Sequence, residues 1–397
     1  MTGQAGPMAA AIRRSLRPTR WSTPAVAVAA VAITFALTAV PILLAGANPF
    51  AAYYEFLVSP LTSDFTRLEV LVGATPILFT GCAVAIAFKA GYWNIGAEGQ
   101  LLLGAIAAAG IGQVVGDLPP IVALTLMIAG GALAGAAWAL LPALLRVRFD
   151  IDEVVTTLLL NPVALLLVTG MLNGPWRDPV SGFPESPRIA AVAEFPHLIE
   201  RSRLHLGFLI ALVVIGIAWY VLARTPAGLR LRATGLSPHG SRFAGVNVTR
   251  VLLGAALVSG AVAGIGGVSE VAGIQFRLTG GLSPGFGYTG IVVAMLGGLW
   301  MPGVILAAVF LGDLAVGASS AGRALGIPSQ LGAVVQGTLL LVTVGLLALR
   351  RNRLARSTTP GTGAAVDSVA ADLAQELAAG ADPAETEDQP GTREPGA

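Results

Sequence analysis

Ten apolar stretches dominate the chain, at 25–45, 68–88, 101–115, 120–144, 154–172, 206–223, 251–272, 288–300, 303–318 and 332–349, parted by polar or arginine-bearing segments. A helix rises 1.5 Å per residue, so about 20 apolar residues cross the hydrocarbon of a bilayer. The pattern predicts an all-α protein of about ten membrane spans. Residues 288–300 are too short for a full crossing and read as a short or tilted half-helix, broken from its successor near Gly297-Gly298 and Pro302-Gly303. The first stretch exceeds the roughly 7–15 apolar residues of a secretory signal. It reads as an uncleaved span, although Ala45-Gly46-Ala47 resembles a cleavage site.

Arginine orients the spans. Arg13, Arg14, Arg17 and Arg20 precede the first; Arg146 and Arg148 mark one loop; Arg224, Arg230, Arg232, Arg242 and Arg250 mark another; Arg350, Arg351, Arg353 and Arg356 follow the last. Basic loops stay in the cytoplasm, which predicts both termini inside and an even number of spans, ten rather than nine. The segment 173–205, with Pro175, Pro179, Pro184, Pro187 and Pro196, is expected outside despite its own Arg177, Arg188, Arg201 and Arg203. The domain plan is a cytoplasmic segment at 1–24, a transmembrane domain at 25–350 with a cytoplasmic loop at 224–250, and an acidic tail at 351–397. From 357 on, the chain carries eight acids and one arginine, −7, so the remainder of the net +2 is +9. That tail lacks aromatics and is expected to be disordered.

Composition agrees with a polytopic membrane protein. The 397 residues are 55% hydrophobic and 12% charged, against roughly 45–50% and about 25% in soluble domains; mean hydropathy is +0.77. The 50 glycines suit close helix–helix approach in lipid. Lys89, in Ala-Phe-Lys-Ala-Gly, is the only lysine. A Walker A loop needs G-x-x-x-x-G-K-[ST], so the chain holds no P-loop of its own. The excess charge sits in short loops without interleaved aromatics, which speaks against nucleic acid. His197 and His205 lack metal-ligand spacing, and the single Cys82 excludes an intrachain disulfide.

Against this background the run Tyr92-Trp93-Asn94-Ile95-Gly96-Ala97-Glu98-Gly99-Gln100 is conspicuous. A bilayer tolerates a carboxylate and two amides only where protein or a water-filled path receives them. Asn94, Glu98 and Gln100 either face such a path or satisfy the backbone of a tight turn made by Gly96 and Gly99. Glu270 is the leading candidate for a path-facing carboxylate, able to accept hydrogen bonds from hydroxyl or N–H groups; the alternative is a structural partnership with Arg277. Asn161 and Asp313 lie within spans and need partners. Phe286 and Tyr288 either stack on a solute or belong to the aromatic belt at the interface. In the 224–250 loop, Ser237-Pro238 reads as an N-cap followed by proline at the first helical position. It predicts a short helix to about Ala244, stopped by Gly245, which either docks on a cytoplasmic partner or is an ordinary solvated loop.

Four runs resemble, in order, the permease subunits of ATP-binding-cassette importers for simple sugars and branched-chain amino acids, nearest to the nucleoside branch. Asn94-Ile95-Gly96-Ala97-Glu98-Gly99-Gln100 resembles its NIG-x-EGQ signature. Asp152-Glu153-Val154-Val155-Thr156-Thr157-Leu158-Leu159-Leu160-Asn161 resembles its (N/D)EV-I-x-T-x-x-LN run. The span from Ser259 to Gly267 resembles its SGAxAGxxG run, and that from Gly285 to Gly297 its GfxGIAVALLG run. Ribose-type relatives carry an IDLSVG-like run at the first position, which favours nucleosides over free sugars. His239-Gly240-Ser241 departs from the alanine-rich helix formers usual in the family, so the docking helix is expected to be short, and the acidic tail has no counterpart.

The resemblance implies a type II importer bundle with short broken helices in a bacterial inner membrane. It implies an ABC ATPase subunit that uses the ATP, with no cofactor in this chain. It further implies a second, non-identical permease and an extracytoplasmic substrate-binding protein. The path set is then Glu270, Asn94, Glu98, Gln100, Asn161, Phe286 and Tyr288, and the ATPase-coupling set is Pro238, Ser241, Arg242, Phe243, Ala244 and Gly245. Two other readings stay open: a sugar or other small polar solute in the same machine, and an ion-coupled secondary transporter relaying protons through Glu270 and Asp313.

Overall fold

A computed structural model describes residues 23–357. The expectations for 1–22 and for the acidic tail beyond 357 lie outside the described residues. Two units are distinguished, Thr23–Leu346 and a second whose described residues are 347–357; every side-chain contact described below lies in the first.

The helices are α1 (Thr23–Leu44), α2 (Pro49–Leu57), α3 (Asp64–Lys89), α4 (Ala97–Val114), α5 (Pro120–Phe149), α6 (Glu153–Asn173), α7 (Leu206–Arg224), α8 (Pro226–Leu236), α9 (Pro238–Phe243), α10 (Val248–Glu270), α11 (Phe286–Leu296), α12 (Met301–Leu325) and α13 (Leu331–Ser357). Local chemistry sets many starts. Asn48 caps α2 ahead of Pro49, accepting from Phe50 N at 2.9 Å. Asp152 caps α6 through Val154 N at 2.7 Å, and Asn247 caps α10 through Arg250 N at 3.0 Å. Each predicted apolar stretch is a helix. Among the described residues seven helices are long and apolar enough to cross a membrane, and Phe286–Leu296 and Leu331–Leu347 are shorter apolar ones.

Several boundaries differ from the hydropathy pattern. α4 begins at Ala97, so Glu98, Gly99 and Gln100 form its first turn rather than a break between spans. α5 runs on to Phe149 and α12 to Leu325, since helix continues past the apolar zone where arginines prefer the interface. The 224–250 loop contains two helices, not one, because Thr225-Pro226 repeats the cap-then-proline pattern of Ser237-Pro238. α10 ends in a π turn, Val271–Gln275, closed by Phe276 at φ +56°. The break between α11 and α12 falls where expected, with Gly298 and Leu299 at positive φ.

Glycine brings three of these helices together. A Cβ on Gly104 of α4 would lie 2.2 Å from the Gly264 carbonyl oxygen on α10. One on Gly264 would lie 2.2 Å from that of Gly131 on α5, and one on Gly135 equally close to that of Gly260. Backbone therefore meets backbone along the α4–α5–α10 seam, the small-residue route to helix association in lipid.

The proline-rich segment after α6 is not a free loop. It zips against the chain following α10 through Ser186 N to Leu278 O (3.0 Å), Ile189 N to Phe276 O (2.9 Å) and Phe195 N to Ala272 O (2.8 Å). Three of its four arginines are engaged. Arg188 pairs with Glu194 at 2.9 Å, Arg203 with Glu69, and Arg177 donates to the Gly182 carbonyl.

Candidate functional site

After α3 ends at Lys89, Gly91 takes φ +79°, a left-handed conformation that glycine reaches at little cost. The turn drives Tyr92 and Asn94 into the bundle, where both are buried. Asn94 Nδ2 donates to Gln100 Oε1 and to Ser259 Oγ, each at 2.9 Å. Asn94 Oδ1 accepts from Gln100 Nε2 at 3.0 Å and from Gly96 N at 2.9 Å. Ser259 in turn donates to the Ala83 carbonyl at 2.7 Å. The two amides are thus spent on one another and on the bundle.

From α6, Asn161 Oδ1 accepts from Gly99 N at 2.9 Å, and its Nδ2 donates to Ile95 O at 2.9 Å and to Tyr288 Oη at 3.2 Å. Thr157 Oγ1 accepts from Ile95 N at 3.2 Å. The first N–H groups of a helix have no partner within it; here side chains of a neighbouring helix supply them.

Glu98 is nearly buried and accepts from Gly287 N at 2.6 Å and from the Ser283 hydroxyl. Ser283 Oγ also accepts from Phe286 N at 3.0 Å, capping α11. The carboxylate therefore lies at the N-termini of both α4 and α11, whose partial positive charges favour an anion. Position 287 must be glycine for this approach, since a Cβ there would sit 2.1 Å from Glu98 N. At the start of α11, Phe286 is half-buried and Tyr288 is 40% exposed. Thr289 Oγ1 and Gln336 Oε1 of α13 lie 3.4 Å apart beside them.

Glu270 closes α10 and is buried. Arg277 is not its partner: that guanidinium pairs with Glu185, brought close when the proline-rich segment zips onto 272–282. The charge that acts on Glu270 is Arg203. Arg203 is bound to Glu69, with Nε to Oε1 at 3.1 Å, and that hydrogen bond raises its pKa above the ordinary arginine value. Close by, His205 Nδ1 accepts from Gly207 N at 3.1 Å, capping α7, and its ring stacks on Phe195 at 5.9 Å. Burial, with the charge of His197 second, pushes His205 down to about 4. His205 Nε2 and Ser269 Oγ have no hydrogen-bond partner among the described residues, nor has Asp313 Oδ1 on α12. The described residues hold no cluster of three metal-ligating side chains.

The basic loop folds into α8 and α9. Ser237 Oγ accepts from Gly240 N at 3.1 Å. The six-residue α9 ends where Gly245 turns at φ +79°, with Val246 N bonded to Ser241 O at 2.9 Å. Ser241 is buried; Pro238, Arg242, Ala244 and Gly245 are exposed, and Phe243 is 97% exposed. Gly235 of α8 lies against the Lys89–Gly91 turn, since a Cβ there would come within 2.2 Å of the Lys89 carbonyl oxygen. The helix next to α9 thus rests on the turn that leads into the Asn94 network.

The structure gathers Asn94, Glu98, Gln100, Asn161, Phe286 and Tyr288 into one polar centre where α4, α6, α10 and α11 meet. Glu270 stands apart with Arg203 and His205. Ser259, Thr157, Ser283 and Gly287 complete the centre and were not singled out from sequence. Their signal was present: each lies within, or two residues before, a quoted run, but a lone serine or glycine does not disclose which backbone it meets.

Residues 66–344 match the family described as branched-chain amino acid transport system / permease component. A glucose ABC transporter permease of Haloferax volcanii is 36% identical over 344 residues, 84% of this chain and 90% of that protein. A guanosine ABC transporter permease of Bacillus subtilis is 35% identical over 286 residues, 71% and 82%. A nucleoside ABC transporter permease of Lactococcus lactis is 30% identical over 320 residues, 78% and 88%. Each of the latter two bacteria has a second permease protein for the same solute that also matches, at 28% identity.

Proposed function

We propose that this chain, which belongs to the family of permease components of branched-chain amino acid transport systems, is the nucleoside-translocating subunit of an ATP-driven importer. Membership makes it a multi-pass membrane transport component rather than an enzyme. The observation that carries the choice of solute is the Tyr288 ring, exposed at the start of α11 and held by Asn161 beside the Glu98 carboxylate. An aromatic face stacks on a base, and nearby polar groups serve ribose hydroxyls. Identity to two nucleoside permeases supports the same choice.

In this reading Phe286 and Tyr288 line the path and Glu98 sets its local field. Asn94, Gln100 and Asn161 hold the frame, and Glu270 receives solute nearer the outer end. The permease domain spans 25–350. Pro238, Ser241, Arg242, Phe243, Ala244 and Gly245 dock on a separate ATPase, with the Phe243 side chain as the anchor. Nucleotide binding there moves α9. The contact of α8 at Gly235 with the Lys89–Gly91 turn carries that movement to the network at the head of α4. A binding protein delivers solute outside, and a second, non-identical permease completes the path, as the paired relatives suggest. The membrane is the bacterial inner membrane with both termini in the cytoplasm.

A sugar is the second reading, favoured by identity to the glucose permease. Uptake of labelled guanosine, adenosine, uridine, glucose and ribose, with and without this chain and with and without ATP depletion, separates them. Selective loss of ATP-dependent nucleoside uptake is expected. Loss of glucose or ribose uptake alone would transfer the chain to the sugar reading. Nucleoside uptake that follows an ion gradient and ignores ATP would overturn both.

A further inference from the structure

A groove of about 510 Å³ runs between α7 and α10, away from the polar centre. Its walls include Val214 and Val221 on α7 and Gly254 and Val258 on α10, and Arg230 and Arg250 stand at one end. From Arg250 to Val262 the groove follows α10 for twelve residues, about 18 Å at 1.5 Å per residue. One leaflet is half of a core about 30 Å thick. The groove therefore has the depth of a single leaflet, with its cationic end at the surface.

The charge is uncompensated. Among the described residues neither Arg230 nor Arg250 forms an ion pair. Residues 224–250 contain five arginines and no aspartate or glutamate. Gly254 leaves the wall open, with nothing within 4 Å of a Cβ placed there. A channel that is apolar for one leaflet's depth and doubly cationic at the mouth matches an amphiphile with an anionic head and a hydrocarbon tail.

We propose that this groove is a binding site for an anionic glycerophospholipid of the arginine-side leaflet. One acyl chain lies between α7 and α10, and the phosphate sits between Arg230 and Arg250. The site is separate from the solute path and from α9, and it places a lipid against the helix pair that flanks the basic loop.

Native mass spectrometry of the full-length chain, loaded with phosphatidylglycerol or with phosphatidylcholine of the same acyl chains, tests this. Wild type is expected to retain one phosphatidylglycerol in preference to phosphatidylcholine, and excess inorganic phosphate is expected not to displace it. Each arginine is worth about fivefold, so Arg230→Ala with Arg250→Ala lowers affinity by about 30-fold, and the double lysine variant keeps most of it. Gly254→Phe and, independently, Val258→Trp fill the groove with both arginines in place and are expected to release the lipid. Equal retention of the two lipids overturns the proposal, as does unaltered retention in both groove-filling variants. Loss of the lipid on adding the partner permease or ATPase would assign the groove to a protein interface instead.

Discussion

Gly264 and Gly254 lie ten residues apart on α10, and the same substitution should move stability in opposite directions at the two. At Gly264 a new Cβ stands 2.2 Å from the Gly131 carbonyl oxygen, a backbone atom of α5. An ordinary contact begins near 3.4 Å, so the helices must part by 3.4 − 2.2 = 1.2 Å at that point. The neighbouring contacts at Gly104 and Gly135 are equally close, and that at Gly260 is 2.5 Å, so the displacement spreads along the seam. A gap of about 1 Å already forfeits a quarter to a half of each van der Waals contact across it, and overpacking costs about 1–3 kcal/mol. Alanine returns up to about 1 kcal/mol of helix propensity. Gly264→Ala is therefore expected to destabilise by about 2 kcal/mol. Gly254, facing open space, collects the propensity gain alone, so Gly254→Ala should stabilise by up to about 1 kcal/mol. Reversible unfolding of the purified full-length chain in mixed micelles, titrated with sodium dodecyl sulfate, measures both. The reasoning fails if the two variants shift the midpoint alike, or if Gly264→Ala is neutral.

Asn161→Leu strands Gly99 N and Ile95 O inside the bundle and should cost about 2–6 kcal/mol in the same titration, at about 1–3 kcal/mol per orphaned group; a neutral result would mean that water reaches the site. Phe243→Ser, at a fully solvated position, should leave stability within about 0.5 kcal/mol while abolishing ATP-driven uptake, and uptake that persists would remove α9 from the coupling route. The folded chain holds His205 neutral down to about 4, whereas unfolded histidine protonates near 6.5. Between those values only the unfolded chain takes the proton, so this contribution is complete above pH 6.5 and is lost as pH falls toward 4, by about 3 kcal/mol. His205→Asn, which keeps a capping side chain, should flatten that window, and an unchanged pH profile would dissociate it from His205.

Hydropathy located the long apolar helices, because the bilayer enforces a long apolar run wherever a helix crosses, but not the nine-residue α2. Capping chemistry located α9, since Ser237-Pro238 is a local signal, but the same signal at Thr225-Pro226 went unread and α8 was missed. Where an element depends on a distant one, the sequence was silent. Nothing near Glu98 says that the N-terminus of α11, some 190 residues later, supplies its partner. The pairing of Arg277 with Glu185 likewise depends on the proline-rich segment folding back across the end of α10. Polarity in a span marks a site; the partner that satisfies it is tertiary information.

Cys82 is the single cysteine of the chain, and it is fully enclosed, its thiol 3.9 Å from the Met301 thioether. Water-borne maleimides and methanethiosulfonates therefore find no native target on the folded protein. A thiol introduced at 286, 288 or 336 would be read against a dark background without any prior removal of cysteine. The side of the membrane from which each reacts, with nucleotide present and absent, would chart alternating access in the otherwise unaltered transporter.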